Sequence, residues 1–283
     1  MAVYYFLLYF FVYGFLGWCA EVVFAAFKHK SFVNRGFLNG PICPIYGLGI
    51  GLVVHLLRPI QSNIVLLYVT SMVLVTALEW LTGFLLEKIF HNKWWDYSHI
   101  PFNLNGYVCL PFSLIWGAAC VIIVRGIHPL FHKAMVHLPL AVGGVLLVLF
   151  GIGLIADLYV TAAGIFKINR RLASMEKIAA ELRELSDSLG ESLYKSAVEA
   201  LEKGDEAKQK LEAPVRFYER TQERTQEFQE HTQERIQELR DKYNELAAKR
   251  NYTTKRLTRA FPSMKAQKYK DAWEELRKRW KLK

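Results

Sequence analysis

Formal charge is scarce over the first 170 residues. Ten Lys/Arg and five Asp/Glu fall there, against twenty-six and twenty-one in residues 171–283. So few charges suit a chain that faces lipid, while 171–283 reads as a solvated helical appendage. Nucleotide hydrolysis by this chain itself is excluded in its P-loop form, because no GxxxxGK[ST] loop occurs. The HExxH and GxSxG signatures are also missing. The four cysteines, Cys19, Cys43, Cys109 and Cys120, form no CxxC pair. They read as small apolar core residues, and no metal site or cofactor is expected. No basic n-region precedes the first apolar run, which continues beyond signal-peptide length and is read as a transmembrane helix.

What is present in their place is long apolar sequence. Stretches at about 3–27, 42–57, 63–87, 107–125 and 139–166 approach or exceed the roughly 20 residues that a membrane helix needs. The second is short and opens with Gly40-Pro41 and Pro44, so a tilted, a broken and a re-entrant segment all fit. The expected fold is an all-α polytopic membrane bundle of about five spans. Lys28, Lys30, Arg35, Lys88, Lys93, Lys167, Arg170 and Arg171 follow the odd-numbered spans, and Arg58, Arg125 and Lys133 the even ones. The basic excess belongs inside. Five spans in a cell membrane then put the amino end outside and the tail in the cytoplasm.

Three regions are expected: a transmembrane domain over 1–170, a helical, coiled-coil-like region over 171–248, and a basic, aromatic-bearing segment over 249–283. Leu172, Met175, Ile178, Leu182, Leu185 and Leu189 make a narrow apolar stripe. Gly190, Gly204 and Pro214 are candidate breaks. A second seam runs from Tyr218, Gln222 and Thr225 through Gln229, Thr232, Ile236, Leu239, Tyr243 and Leu246, with a polar middle that predicts a weak hairpin or a self-associating helix. The last segment carries thirteen Lys/Arg against Asp271, Glu274 and Glu275, with Trp273 and Trp280 interleaved. It reads as a solvated tail, or as a binder of anionic lipid, nucleic acid or a cytoplasmic partner.

The carboxylates inside apolar sequence carry the most information, since a charge in hydrocarbon costs about 2.5 kcal/mol or more. Glu79 sits deep in the third stretch, with Gly83 and Glu87 on the same helix face. It needs a proton of its own, a partner such as Arg35, or access to water. Glu21 shares a face with Gly14 and Trp18, and as an interfacial carboxylate it would meet Lys28 or Lys30. The loop from Val33 to Gly47 is dense in Gly, Pro and Asn, and its Arg35 suits a carboxylate or phosphate. Gly47 and Gly51 permit close helix contact. Asp96 and His99 are near in sequence, in a Trp/Tyr-rich interfacial stretch. Asp157 reads equally as a helix-packing hydrogen-bond acceptor or a pore-lining group. The candidate substrate or ion pathway is therefore Glu21, Asn34, Arg35, Tyr46, Glu79, Asp96 and Asn105, with no catalytic residue assigned.

A series of these pieces resembles a bacterial family, the ABC-transporter type IV or CmpB-like permeases. It runs Gly17-Trp18 with Glu21, Asn34-Arg35-Gly36-Phe37-Leu38-Asn39-Gly40-Pro41, Pro44-Ile45-Tyr46-Gly47 and Glu79. It continues through Trp95-Asp96-Tyr97-Ser98, Asn103-Leu104-Asn105-Gly106, Cys109-Leu110 and Ser113 with Trp116-Gly117. The resemblance covers roughly residues 14–125 and implies a permease subunit working with a separate ATPase. Five spans are few for a full permease, so a homodimer is expected. Three functions fit the residues: a transport component with a polar intramembrane site, a membrane-embedded enzyme on lipid or envelope substrates, and a non-catalytic scaffold or sensor.

Overall fold

The computed structural model describes residues 1–207, 215–249 and 252–280. Helix α1 (Ala2–His29) is an unbroken apolar run that ends where Lys30 turns left-handed, at φ 51°. Helix α2 (Pro44–Leu56) begins with proline in the first turn, where the missing N–H costs nothing. It lies close against α1. A Cβ on Gly47 would run into the Phe10 carbonyl, and one on Gly51 would sit 3.1 Å from the Phe6 ring. The small residues thus bring two backbones into contact. The short second stretch is one continuous helix of 13 residues. It is about 20 Å long, short of the hydrocarbon thickness of about 30 Å.

Helix α3 (Ile64–Phe90) starts at an Asn63 cap, whose Oδ1 accepts from Leu66 N–H at 3.0 Å. Helix α4 (Leu110–Ile122) passes through a wide π-turn, Ile123–Ile127, into α5 (His128–Val136). Pro129 explains the turn: it has no N–H for the Arg125 carbonyl and its ring crowds that turn. The apolar helix therefore runs from Leu110 to Val136, beyond the 125 expected from the charges of Arg125 and Lys133. Among the described residues four helices are long and apolar enough to cross a membrane, starting at Ala2, Ile64, Leu110 and Leu140.

Helix α6 (Leu140–Ala207) leaves the apolar part and continues through Gly190 and Gly204 without a break. An interior glycine costs about 1 kcal/mol relative to alanine, too little to end so long a helix. Pro214 lies outside the described residues, as do the side chains of Tyr218, Gln222 and Thr225. Helix α7 (Val215–Ala248) runs back along α6. Arg235 meets Glu181 at 3.0 Å, while Ala247 is buried with Leu172 and Met175, so the pair is antiparallel. Thr232, Ile236 and Leu239 are buried in the seam.

The basic carboxyl-terminal segment folds back as α8 (Tyr252–Ala260), a strand β4 (Lys265–Ala266) and α9 (Lys270–Arg279). The strand pairs antiparallel with β1 (Asn92–Lys93), which follows α3, in the register Asn92↔Ala266. Leu257, Met264, Trp273 and Leu276 bury against Phe90, Trp94, Leu172 and Met175. Two further strands, β2 (Asn103–Leu104) and β3 (Val108–Cys109), close the hairpin before α4. Leu276 is 1% exposed, and truncating such a leucine removes about 2–5 kcal/mol. Leu276→Ala is therefore expected to free residues 252–280. Amide exchange over that segment should rise sharply while α1 to α4 keep their protection; unchanged protection of the segment would count against its docking.

Candidate functional site

Four helices converge on Tyr46, in the first turn of α2. Gly17 of α1 leaves room for its ring, since a Cβ there would overlap the Tyr46 side chain. The Tyr46 hydroxyl donates to Glu21 Oε1 at 2.6 Å. Its ring meets Trp116 of α4 edge-on, with centroids 5.5 Å apart. Arg35 Nε lies 3.6 Å from Glu21 Oε2. The sequence offered Arg35 as a partner for Glu79 and Lys28 or Lys30 for Glu21; Arg35 is paired with Glu21 instead.

Glu79 comes from α3. It is 8% exposed, and among the described residues its buried Oε2 has no hydrogen-bond partner. When ionised it is within electrostatic reach of Tyr46 and of Tyr97, which follows β1. Burial pushes the Tyr97 phenol above its ordinary pKa, Glu79, Cys109 and Glu21 push it further, and Arg35 opposes them. Tyr97 thus joins Glu21, Arg35, Tyr46 and Glu79 in one electrostatic neighbourhood. From sequence it was legible only as an interfacial aromatic.

The loop between α1 and α2 is held by side chains. Asn34 Oδ1 accepts from Trp18 Nε1 at 2.7 Å and from Gly36 N–H at 3.0 Å, and its amide donates to the Asn39 carbonyl at 2.8 Å. Asp157 of α6 collects donors from the other side. Its Oδ1 accepts from the Asn39 backbone N–H at 3.0 Å and side-chain amide at 2.7 Å, and its Oδ2 from Gly40 N–H at 2.6 Å. Of the two readings open for Asp157, hydrogen bonding between elements is the one seen in these contacts. Arg256 of α8 binds the carbonyls. Nη1 donates to Gly36 at 2.8 Å and Leu38 at 3.0 Å, and Nη2 to Phe37 at 2.8 Å. Burial lowers the Arg256 pKa, while Asp157 and Tyr252 raise it. A guanidinium starts so high that it stays charged. Nothing in the sequence marked Arg256 among thirteen cations.

Asp96 and Asn105 are not brought to Tyr46. Asp96 is bound by Lys93 at 3.2 Å, by Lys265 of β4 at 2.7 Å and by Ser98 N–H at 3.1 Å. Asn105 and Gly106 both turn left-handed, at φ 56° and 71°, and the Asn105 carbonyl accepts from Lys93 at 2.7 Å. A Cβ on Gly106 would strike the Asp96 and Ser98 side chains, so only glycine suits that position. These residues form a rigid turn that docks β4. His99 is exposed, and the Asp96 oxygens face lysines and serine. Among the described residues no group of three or more His, Cys, Asp or Glu could hold a metal ion.

Two outcomes follow from these clamps. Arg256→Gln cannot reproduce three donations and leaves buried carbonyls unmet, at about 1–3 kcal/mol each. Thermal melting should fall, with earlier proteolysis near Phe37. Partial burial pushes Asp96 up, but Lys265, Ser98 and Lys93 outweigh it and hold the carboxyl below its usual range. A depressed folded-state pKa gives stability that is present above the unfolded value, about 3.9, and lost as pH falls below it. Protection of β4 from exchange should therefore drop on acidification below about pH 4, and Asp96→Asn should remove that dependence.

The family model described as "Putative ABC-transporter type IV" matches residues 8–162. The match takes in Glu21, Arg35, Tyr46, Glu79, Asp96 and Asp157, and leaves α7, α8 and α9 outside it. No curated protein matches the chain, and no solved structure matches it. With more than half its length matched and four apolar helices long enough to cross a bilayer, the chain is a multi-pass membrane protein that belongs to the family "Putative ABC-transporter type IV".

Proposed function

We propose that this protein is the membrane component of a transporter and that Glu79, with Glu21, Tyr46 and Arg35, lines its polar step. The observation that carries the reading is the Glu79 carboxylate. A buried carboxyl oxygen that meets no donor among the described residues is expensive to ionise, and proteins rarely keep one for stability alone. Placed in a span and within electrostatic reach of Tyr46 and Tyr97, it suits a site that a cation or a polar substrate visits. Asn34 belongs to the site indirectly, by shaping the loop that presents Arg35.

The rest of the reading follows from family and architecture. A separate ATPase supplies the energy, and two copies complete the pathway. The apolar turns of α6 support the second point, because Val145, Leu149, Ile152 and Ile155 are all exposed and offer a face to lipid or to another copy. The amino end lies outside and the α6–α7 hairpin in the cytoplasm, where an ATPase would meet it. A scaffold reading draws on Glu21 and Asp157, whose oxygens are engaged within the chain.

Glu79 separates the two. Glu79→Gln should leave thermal stability unchanged or raised, because it removes the cost of ionising a buried carboxyl that meets no donor among the described residues. In a variant with the four cysteines replaced, Glu79→Cys should react with a membrane-impermeant thiol reagent from at least one face of oriented vesicles. A marked loss of stability in the first, with no labelling from either face in the second, would reject the transport site and leave the scaffold.

A further inference from the structure

The docked segment does more than cover the α1–α2 loop: with the end of α3 it forms an open cavity at the surface. The cavity measures about 400 Å³ and is lined by Phe84, Glu87, Lys88 and His91 on one side and by Tyr107 and Lys268 on others. That volume is within the range of small-ligand sites, about 300–1,000 Å³. Gln267 completes the wall and fixes its geometry, since its N–H donates to the His91 carbonyl at 2.9 Å. The cavity therefore exists only while β4 stays paired to β1.

Its polar groups leave positive charge to spare. Glu87 Oε2 accepts from the Tyr107 hydroxyl at 2.9 Å. Burial and this carboxylate push the Tyr107 pKa up to about 12, so the phenol stays a donor. Lys88 and Lys268 face the cavity from different elements, and among the described residues neither makes an ion pair. Lys268 lies over the Tyr269 ring at 5.5 Å, and two ammonium groups without an ion pair among the described residues, against one engaged carboxylate, favour an anion.

Depth identifies the anion's source. Helix α3 has 27 residues, about 40 Å of rise against a hydrocarbon core of about 30 Å, so its last turn reaches headgroup level. Phe84 lines the cavity and is also 38% exposed on the outer face of α3. It stacks on Trp80 at 5.3 Å, and Leu81, Leu85 and Ile89 continue the same bare apolar face. An acyl chain has a surface to lie on, directly beside the charged cavity.

We propose that this cavity binds the phosphate of an anionic phospholipid headgroup between Lys88 and Lys268, with the acyl chains along Trp80, Phe84 and Leu85. The lipid bridges α3 and the carboxyl-terminal segment and so helps to hold that segment down. This site is separate from the Glu79 cluster, and its test is independent of transport.

The experiment is native mass spectrometry of the full chain released from nanodiscs of phosphatidylcholine alone or mixed with phosphatidylglycerol. A retained phosphatidylglycerol adduct is expected, with phosphatidylcholine retained far less. The double variant Lys88→Gln/Lys268→Gln should weaken that retention about thirty-fold, as two interfacial lysines imply. Both lysines are exposed, and matched melting curves will show that the variant folds. Equal retention of the two lipids by the unaltered chain would overturn the proposal without recourse to a variant. So would undiminished retention by the double variant. Inorganic phosphate is the third arm: stabilisation by millimolar phosphate in neutral nanodiscs, abolished by the double variant, would assign the cavity to a soluble anion and overturn the lipid.

Discussion

Backbone amides and carbonyls that enter a membrane domain without helical partners must find others, because lipid offers none. The loop from Asn34 to Gly40 meets that demand from three directions. Asn34 folds the loop on itself, Asp157 accepts its amides, and Arg256 donates to three successive carbonyls. The opposite charges of Asp157 and Arg256 also lie close enough to act on each other. Both Arg256 terminal nitrogens are engaged, which makes the buried charge tolerable, whereas losing those donations would strand charge and carbonyls alike. The loop, α6 and α8 therefore stand or fall together.

The same loop fixes the polar site. By holding Gly36 and Asn39, it sets where Arg35 emerges, and Arg35 with Tyr46 occupies Glu21. Glycines do the complementary work on α1 and α2: Gly17 admits the Tyr46 ring and Gly47 admits the backbone of α1. Larger residues at either position would push α2 away and separate Tyr46 from Glu21. Within this satisfied frame, Glu79 is the exception, and the contrast gives it meaning. The described residues supply partners for Glu21, Glu87, Asp96 and Asp157, yet none for one oxygen of Glu79.

Much of the membrane part was legible because hydropathy and special turn residues are local signals. Helices α1, α3 and α6 follow the apolar runs, and Asn105-Gly106 turns left-handed as such a pair favours. The continuation of α4 into α5 was hidden by Arg125, His128 and Pro129, which resemble a loop in sequence but here only widen one turn. The ion pair of Asp96 was hidden for a different reason. Spacing places residues on a helix face, but the partner of Asp96 is Lys265, 169 residues away, and no periodicity reports a contact of that separation. Arg256 was illegible likewise: among thirteen cations, only its burial distinguishes it.

That last point changes how the carboxyl-terminal segment is understood. Its charge invites reading as a solvated tail, but composition averages over faces. In α9 the apolar side chains Trp273 and Leu276 are buried while Lys270, Lys278 and Arg279 stay exposed, which is enough for a short helix to dock. Docking then couples distant parts. Release of α8 would strand the carbonyls of Gly36, Phe37 and Leu38, and a rearranged loop could no longer present Arg35 to Glu21 in the same way. Linkage makes the relation reciprocal: whatever favours one arrangement of the loop favours, by the same free energy, one state of the segment. Residues outside the family match thus bear on the residues inside it, and the polar site is stabilised from beyond the membrane domain that contains it.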